Sequence, residues 1–247
     1  MTDHDTIKGC SVVQNVLKED DPVFVTGVEF NCRDEEGKYH ILGYRFDPKS
    51  SSMNRLVERG HELRMKKVQA RLDFLRDELS IDIPADEINK LLNLNNPGKP
   101  HIANLLVKYG YAGDKEQGIS LIDRKRFKSE YLHPRDVIKG ILDAGGIPVL
   151  AHPPYGSGNE IIVRDELSER VNRLVGYGIK GLEGYYSGYT KVLCEEVISL
   201  ADRYDLFVTA GSDYHGSNKL VVLGETGIEE VGEVSHRLGR FLDAILS

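Results

Sequence analysis

The chain has 247 residues, of which 40% are hydrophobic and 29% charged, so it can bury the core of one barrel-sized domain or of a domain with an insertion. Its formal net charge of -7 excludes a broad, sequence-independent surface for duplex nucleic acid, because such a surface needs a basic face. A small phosphorylated substrate is not excluded, since bound divalent cations reverse the sign of the field inside a site.

The cysteines and the apolar runs indicate a cytoplasmic protein. Cys10, Cys32 and Cys194 are an odd number of cysteines without CxxC spacing, which is typical of reduced thiols. The apolar runs stay short of the roughly 18 residues that a membrane helix needs. The N-terminus also lacks the basic and apolar regions of a signal peptide. We therefore expect a cytoplasmic location and no membrane partner.

The first part of the chain predicts a helix followed by a β-hairpin. The predicted elements are a helix at residues 6–17 and β-rich runs at 22–31 and 38–46, with turn residues 34–37 between the two runs. If Arg33 faces Lys38 across this hairpin, Glu29 and His40 fall about opposite one another, within cross-strand reach. One metal ion could then contact both side chains.

The character of the sequence changes between residue 51 and about residue 128, where strand signals disappear. Apolar residues recur there at helical spacing in a long amphipathic helix that begins near Ser51: Leu56, Leu63, Val68, Leu72, Leu75 and Leu79. Shorter helices are predicted at residues 85–92, 100–109 and 115–121. We predict a helical insertion domain at 51–128, within a barrel domain formed by 1–50 and 129–247.

Helices and strands alternate in the rest of the chain. The predicted order is helix 134–144, strand 147–151, helix 163–177, strand 179–183, helix 189–204 and strand 206–212, before an apolar run at 220–223 and a final helix at 234–246. Strict alternation of this kind implies that the strands run parallel.

Acids and histidines stand at or near the ends of apolar runs in four separate stretches. In the run at 208–216, Asp213 and His215 are separated by one residue; alternate residues of a strand share a face, so both side chains should point the same way. The other three stretches are Thr2-Asp3-His4-Asp5, Gly27-Val28-Glu29 with Tyr39-His40, and Ala151-His152-Pro153. Carboxylates and imidazoles held together suit metal ligation or a proton relay, and an α/β barrel keeps such groups at its C-terminal strand ends.

The donor atoms favour a metal-dependent hydrolase. Imidazole nitrogens and carboxylate oxygens suit zinc, manganese or iron(II), and a glutamate between two groups of histidines can bridge two ions. Ions a few ångströms apart bind phosphoryl oxygens, lower the pKa of a bridging water and neutralise the leaving oxygen. Hydrolysis of a phosphate ester uses all three effects.

The order Thr-Asp-His-Asp, Gly-Val-Glu, His-Ile-Leu-Gly, Ala-His-Pro and Ser-Asp-Tyr-His-Gly resembles the PHP (polymerase and histidinol phosphatase) domain over essentially the whole chain. Within that family, the sequence is most similar to the branch of 3′,5′-nucleoside bisphosphate phosphatases and 5′-3′ exoribonucleases. That branch carries a helical insertion with a stretch like Pro100-His101-Ile102-Ala103.

The resemblance implies an α/β fold, a distorted (β/α)7 TIM-like barrel with a helical insertion, and up to three divalent ions, Mn²⁺ or Zn²⁺ with Fe²⁺ as an alternative. It implies these metal ligands: Glu29 as a bridge with His40 and His152 at one site, Asp213 at a second, and His4 and His215 at a third. Glu29, His152, Asp213 and His215 would be catalytic. Asp3 and Asp5 would orient His4 and the strand end.

The sequence departs from the family at its start. The family opens with a strand that carries His-x-His and a nearby Asp, and this sequence starts about one βα unit later, on the order of thirty residues. We expect that it starts at an internal Met of a longer gene product; the alternative is a naturally shortened, catalytically impaired member. A barrel without its first strand exposes two sheet edges, where we expect poor solubility or oligomer contacts.

Two more residues are candidates for substrate contact. His101 begins a helix of the insertion, where it could be packed or could meet an anion, since helix N-termini attract anions. Glu183 ends a predicted strand and could face either the site or a solvated rim. The basic run Arg124-Lys125-Arg126-Phe127-Lys128 could steer phosphates, although a solvated helix face is the simpler interpretation.

We therefore expect a metal-dependent phosphoesterase acting on a 3′,5′-bisphosphonucleotide or a short RNA 5′ end, with both substrates implied by the resemblance alone. The first alternative is a catalytically impaired scaffold or binding module. The second is a metal-dependent amidohydrolase, which uses similar ligands on similar barrels.

Overall fold

The computed structural model describes residues 1–157 and 160–246, and Glu230 without its side chain. The strands are β1 Gly27–Arg33, β2 Lys38–Tyr44, β3 Ile147–Leu150, β4 Gly181–Tyr186 and β5 Phe207–Gly211. The helices are α1 Lys8–Gln14, α2 Ser51–Leu79, α3 Ala85–Leu92, α4 Lys99–Lys108, α5 Lys115–Ile122, α6 Pro134–Asp143, α7 Arg164–Tyr177, α8 Lys191–Arg203 and α9 His236–Leu246. Short 3₁₀ turns lie at Pro153–Tyr155, Gly216–Asn218 and Ile228–Glu230.

The strands form one mixed sheet in the order β1-β2-β3-β4-β5. The pairs β1–β2 and β2–β3 are antiparallel, whereas β3–β4 and β4–β5 are parallel, as the alternating helices and strands predicted. Every residue of β4 is buried, as expected for a strand covered on both faces. The fold is therefore mixed α/β, while a count of seven barrel strands stays a prediction.

The hairpin register corrects one prediction. Arg33 pairs with Lys38 as expected, but that register places Glu29 opposite Leu42 and His40 opposite Asn31. Glu29 and Asn31 are alternate residues on one face, so His40 is the diagonal neighbour of Glu29. A long side chain still spans that diagonal.

The sheet curves strongly enough to bring its two ends together at one rim. Asp3 O accepts from Glu29 N at 3.0 Å and Asp5 N donates to Glu29 O at 2.9 Å, so the segment around His4 pairs with β1 in parallel. Four spacings of about 4.8 Å separate β1 from β5 in a flat sheet, or on the order of 19 Å. Yet the ring centroids of His4 and His215, which follows β5, lie 5.7 Å apart.

The chain divides into two compact units, residues 1–56 with 132–247 and residues 57–131, and the first division falls inside α2. In the first unit α6 packs on β1 to β3, α8 on β4 and α9 on β5. Part of its core is formed by Leu42, Val149, Ala151 and Phe241. The second unit has a helical core of Val68, Leu72, Phe74, Leu75, Ile81, Ile83, Leu91, Ile102, Ala103, Leu106 and Ile122.

Several predicted elements differ from the structure. The first helix spans Lys8–Gln14 instead of 6–17, and the β-rich run predicted at 22–31 begins at Gly27 and extends to Arg33. The strand predicted at 179–183 begins later, because Gly178 ends α7 in a left-handed conformation (φ 99°) and Ile179 N donates back to Leu174 O. The apolar run at 220–223 lies outside the strands, and Leu220, Val222 and Leu223 are exposed. Among the described residues, every helix is too short or too polar to cross a bilayer.

Candidate metal centre

Glu29 is the centre of a cluster of imidazoles. Its carboxylate is buried in β1, with Oε1 2.7 Å from His40 Nδ1 and 3.5 Å from His152 Nε2, and Oε2 3.6 Å from His4 Nδ1. His40 Nδ1 and His152 Nε2 lie 3.2 Å apart. The donor atoms of His4, Glu29 and His40 all lie within 4.8 Å of one another. The structure thus brings four of the six predicted metal ligands together around one carboxylate.

Four separate segments deliver these side chains. Glu29 and His40 come from the two strands of the hairpin, and His4 from the segment that pairs with β1. His152 follows β3 and has a left-handed backbone, with φ 30°. The ring centroids of His4 and His40 lie 5.1 Å apart, and those of His40 and His152 5.0 Å.

The electrostatics of Glu29 suit a cation. Burial works to raise the pKa of its carboxyl, but His4 and His40 outweigh burial and hold the pKa well below its ordinary value. Although His40 Nδ1 is near, Glu29 Oε1 is a buried oxygen without a hydrogen bond of acceptable geometry among the described residues. An ionised carboxylate with imidazole nitrogens converging on it is a donor set for zinc, manganese or iron(II).

Asp213 and His215 form a second cluster next to the first, but not as a strand. β5 ends at Gly211, and Asp213 has a left-handed backbone (φ 51°), so the prediction that both side chains share a strand face is wrong. The pair still meets, with His215 Nδ1 3.3 Å from Asp213 Oδ1 and 2.8 Å from Asp213 O. The contact between His215 and His4 joins the two clusters at one rim of the sheet.

Two side chains that the sequence did not point to hold Asp213. Tyr186 OH donates to Asp213 Oδ2 at 3.0 Å, and Lys219 Nζ donates both to Asp213 Oδ2 and to Tyr186 OH, the latter at 2.7 Å. The ring of Tyr186 also lies 5.6 Å from that of His152. The strand predicted at 179–183 ends before Tyr186, and Lys219 lies in an irregular loop, so the sequence held no signal for either residue.

Asp3 and Asp5 fasten the segment that carries His4. Asp5 accepts from Asn31 N at 3.2 Å and from Asn31 Nδ2 at 2.9 Å, and the same amide nitrogen lies 3.3 Å from His4 Nδ1. Asp3 contributes its backbone carbonyl to the pairing with Glu29. Burial raises the pKa of the Asp3 carboxyl, and nearby His215 opposes the rise. Asn31 is another contact residue that the sequence did not point to.

Glu183 is buried and not on a solvated rim. Its Oε2 accepts from His152 N at 2.8 Å. Burial raises the pKa of this carboxyl to about 7, with His152 opposing the rise. The carboxyl thus faces the backbone of a predicted metal ligand.

His101 lies in the first turn of α4, in the helical unit, half-buried among the residues of that unit. The basic run at 124–128 belongs to the same unit and lies outside the helices. Lys125 forms an ion pair there with Glu78. A substrate contact by His101 stays a prediction.

The chain is similar to proteins that act on phosphate esters. It is 28% identical over 230 residues to a 5′-3′ exoribonuclease of Haemophilus influenzae, across 91% of this chain and 81% of that protein. It is 27% identical over 229 residues to a phosphoribosyl 1,2-cyclic phosphate 1,2-diphosphodiesterase of Eggerthella lenta, across 87% of this chain and 81% of that protein. A comparison with protein-family models gives no match.

Solved structures share the fold. A candidate metal-dependent phosphoesterase of Bifidobacterium adolescentis superposes with a TM-score of 0.79 at 25% identity, over 91% of this chain and 79% of that one. An amidohydrolase of Chromobacterium violaceum, with bound sulfate and no metal, superposes with a TM-score of 0.77 at 21% identity, over 99% and 84% of the two chains. The two relatives and the Bifidobacterium adolescentis structure support the resemblance to the PHP family.

Proposed function

We propose that the protein is a metal-dependent phosphoesterase. The observation that carries this proposal is the convergence of His4, His40 and His152 on the buried carboxylate of Glu29. Three imidazoles and one ionised carboxylate form a set of neutral and anionic donors of the kind that divalent ions use. Asp213 and His215 lie at the same rim and would extend the set to further ions.

In this proposal Glu29, His40 and His152 hold one ion, Asp213 belongs to a second site, and His4 and His215 to a third. Bound divalent ions supply Lewis acidity and a water of lowered pKa. Glu29, His152, Asp213 and His215 would be the catalytic set. Zn²⁺, Mn²⁺ and Fe²⁺ all suit these donors.

The protein also supplies a positive charge of its own. Lys219 lies at the rim with 34% of its side chain exposed, in contact with Asp213 and Tyr186. An ammonium beside a group of metal ligands can pair with an anionic phosphoryl oxygen. Tyr186 holds both Asp213 and Lys219, so it would keep the acid and the cation in a fixed relation.

The names of the relatives support phosphate esters of ribose as the proposed substrate class. One relative is named as an exoribonuclease and the other as acting on a phosphoribosyl cyclic phosphate. A 3′,5′-bisphosphonucleotide or the 5′ end of a short RNA satisfies this description and agrees with the branch that the sequence resembles. We propose these two as substrates.

The test is an assay of purified protein reconstituted with Mn²⁺ or Zn²⁺. The substrates would be adenosine 3′,5′-bisphosphate, a short 5′-phosphorylated RNA and a simple amide. We expect release of phosphate or nucleotide from a phosphate ester, and far slower release by the Glu29→Gln variant. Turnover of the amide alone, or equal rates in both proteins, would overturn the proposal.

A further inference from the structure

His152 has a backbone conformation that is unusual for a residue other than glycine. Its φ of 30° and ψ of 57° lie in the left-handed region, which non-glycine residues rarely adopt because the β-carbon crowds the following carbonyl. Such a conformation persists where the surroundings determine it. The position of the His152 imidazole therefore depends on what holds this backbone in place.

Glu183 provides one of the contacts that hold it. Glu183 Oε2 accepts from His152 N at 2.8 Å, and both residues are buried. On the other side of the residue, Tyr155 N donates to His152 O at 2.8 Å and begins the 3₁₀ turn Pro153–Tyr155. A buried N–H that loses its acceptor costs free energy, so removal of the Glu183 carboxyl would favour a different conformation at His152.

Gly211 makes room for that carboxyl. A β-carbon built on Gly211, the last residue of β5, would overlap Glu183 Oε1. Any larger residue at position 211 would have to displace the carboxylate. Gly184, which follows Glu183 in β4, is also restricted, but by a different neighbour, because a β-carbon there would lie 2.7 Å from Val208 Cγ1.

We infer that Glu183 is a positioning residue: seated in the space that Gly211 leaves, it fixes the backbone of the metal ligand His152. It does so as a hydrogen-bond acceptor. Burying a carboxylate is unfavourable, so a group kept there needs a compensating role, and the contact with His152 N supplies one. This inference rests on the proposed function only in taking His152 as a metal ligand.

The test measures metal binding and not turnover. Metal-stripped wild-type, Glu183→Ala, Glu183→Gln and Gly211→Ala proteins are titrated with Co²⁺, whose visible absorption spectrum reports the coordination geometry. We expect Glu183→Ala and Gly211→Ala to bind Co²⁺ roughly 10- to 100-fold more weakly, as is typical when a residue that supports a ligand is lost, and with an altered spectrum. Glu183→Gln keeps an amide oxygen as acceptor, so it should stay within a few-fold of wild type.

Two variants control for general destabilisation. Gly184→Ala overpacks β4 against Val208, and Asp34→Asn changes another buried acid, whose side chain accepts from Glu36 N and Gly37 N. Both should lower the melting temperature of the metal-free protein and leave Co²⁺ affinity and spectrum unchanged. If Glu183→Ala does not fold, the Co²⁺ affinities of Gly211→Ala and Gly184→Ala are compared instead, because only the first is designed to displace the Glu183 carboxyl.

Three outcomes would overturn the inference: wild-type Co²⁺ affinity in Glu183→Ala, equal losses in Gly211→Ala and Gly184→Ala, or a loss in Glu183→Gln as large as that in Glu183→Ala. The last outcome would mean that Co²⁺ binding depends on the negative charge of Glu183 and not on its role as a hydrogen-bond acceptor. A wild-type protein that binds no Co²⁺ would instead refute the proposed metal site itself.

Discussion

Two clusters lie at one rim of the sheet: the Glu29 cluster of His4, Glu29, His40 and His152, and the Asp213 cluster of Asp213, His215, Tyr186 and Lys219. They are built from different kinds of segment. Glu29 and His40 come from paired strands, and the Glu29 carboxylate is buried among imidazoles. Asp213 lies beyond the end of β5, and its carboxylate is paired with Lys219. Strands hold side chains more rigidly than loops. We infer that the Glu29 cluster would hold an ion more tightly than the Asp213 cluster, whose carboxylate already pairs with a protein cation.

The largest effect should follow from the loss of the shared carboxylate. Glu29→Gln removes the anion around which three imidazoles converge, so both metal content and turnover should fall by more than the roughly 10- to 100-fold typical of residues that only support a ligand. Metal analysis by plasma mass spectrometry and the phosphate-release assay measure the two losses. A Glu29→Gln protein that retains its metal would contradict the proposed difference between the two clusters, because the tightly bound ion would then lie away from Glu29.

The second effect tests whether the Glu29 cluster retains metal through His152. His152→Ala should lose the tightly bound ion. A ligand at 100 times its Kd adds about 2.7 kcal/mol to the free energy of unfolding, so the rise in melting temperature that the metal gives the wild type should also be lost. His61→Ala changes a histidine of α2 in the helical unit, and it should keep both the ion and the rise. Equal metal content in the two variants would contradict the ligand assignment.

Sequence periodicity was enough to predict where the first two helices of the insertion begin. α2 and α3 occupy the residues at which apolar spacing and helix-start signals placed them. The donors Glu29 and His40 could be paired because hairpin register follows from a short turn. Their diagonal relation was missed, since it requires the alternation of faces to be combined with the exact register.

The Asp213 cluster was harder to predict for a physical reason. The left-handed turn at Asp213 ends the strand earlier than the apolar run suggests, and residues with irregular backbone carry no period. Tyr186 approaches Asp213 from the end of β4, and Lys219 from the irregular loop six residues beyond Asp213, so only the tertiary structure reveals these contacts. Sequence reasoning thus identified the acids and histidines themselves, whereas it missed the contacts that Tyr186 and Lys219 make with Asp213.

A smaller effect, on inhibition by phosphate, should distinguish the Asp213 cluster from the Glu29 cluster. Lys219→Met removes the cation beside Asp213, so inorganic phosphate should inhibit roughly 10-fold more weakly, equivalent to about 1.4 kcal/mol. Metal content at the Glu29 cluster should not change. Lys191→Met is the matched control, because that lysine lies on α8 and pairs with the exposed Glu195. Unchanged phosphate inhibition in Lys219→Met would show that the lysine only neutralises Asp213.

The smallest effect concerns the hydroxyl that joins the clusters. Tyr186→Phe keeps the ring beside His152 but deletes the hydrogen bond to Asp213, which at about 1 kcal/mol predicts a roughly five-fold loss of turnover with metal content unchanged. Tyr185→Phe is the control, since Tyr185 OH accepts from Ser235 N on the opposite side of the strand. It should lower the melting temperature and leave turnover unchanged. Equal turnover losses in the two variants would mean that Tyr186 only supports packing, and the Asp213 cluster would then depend on Lys219 alone for its orientation.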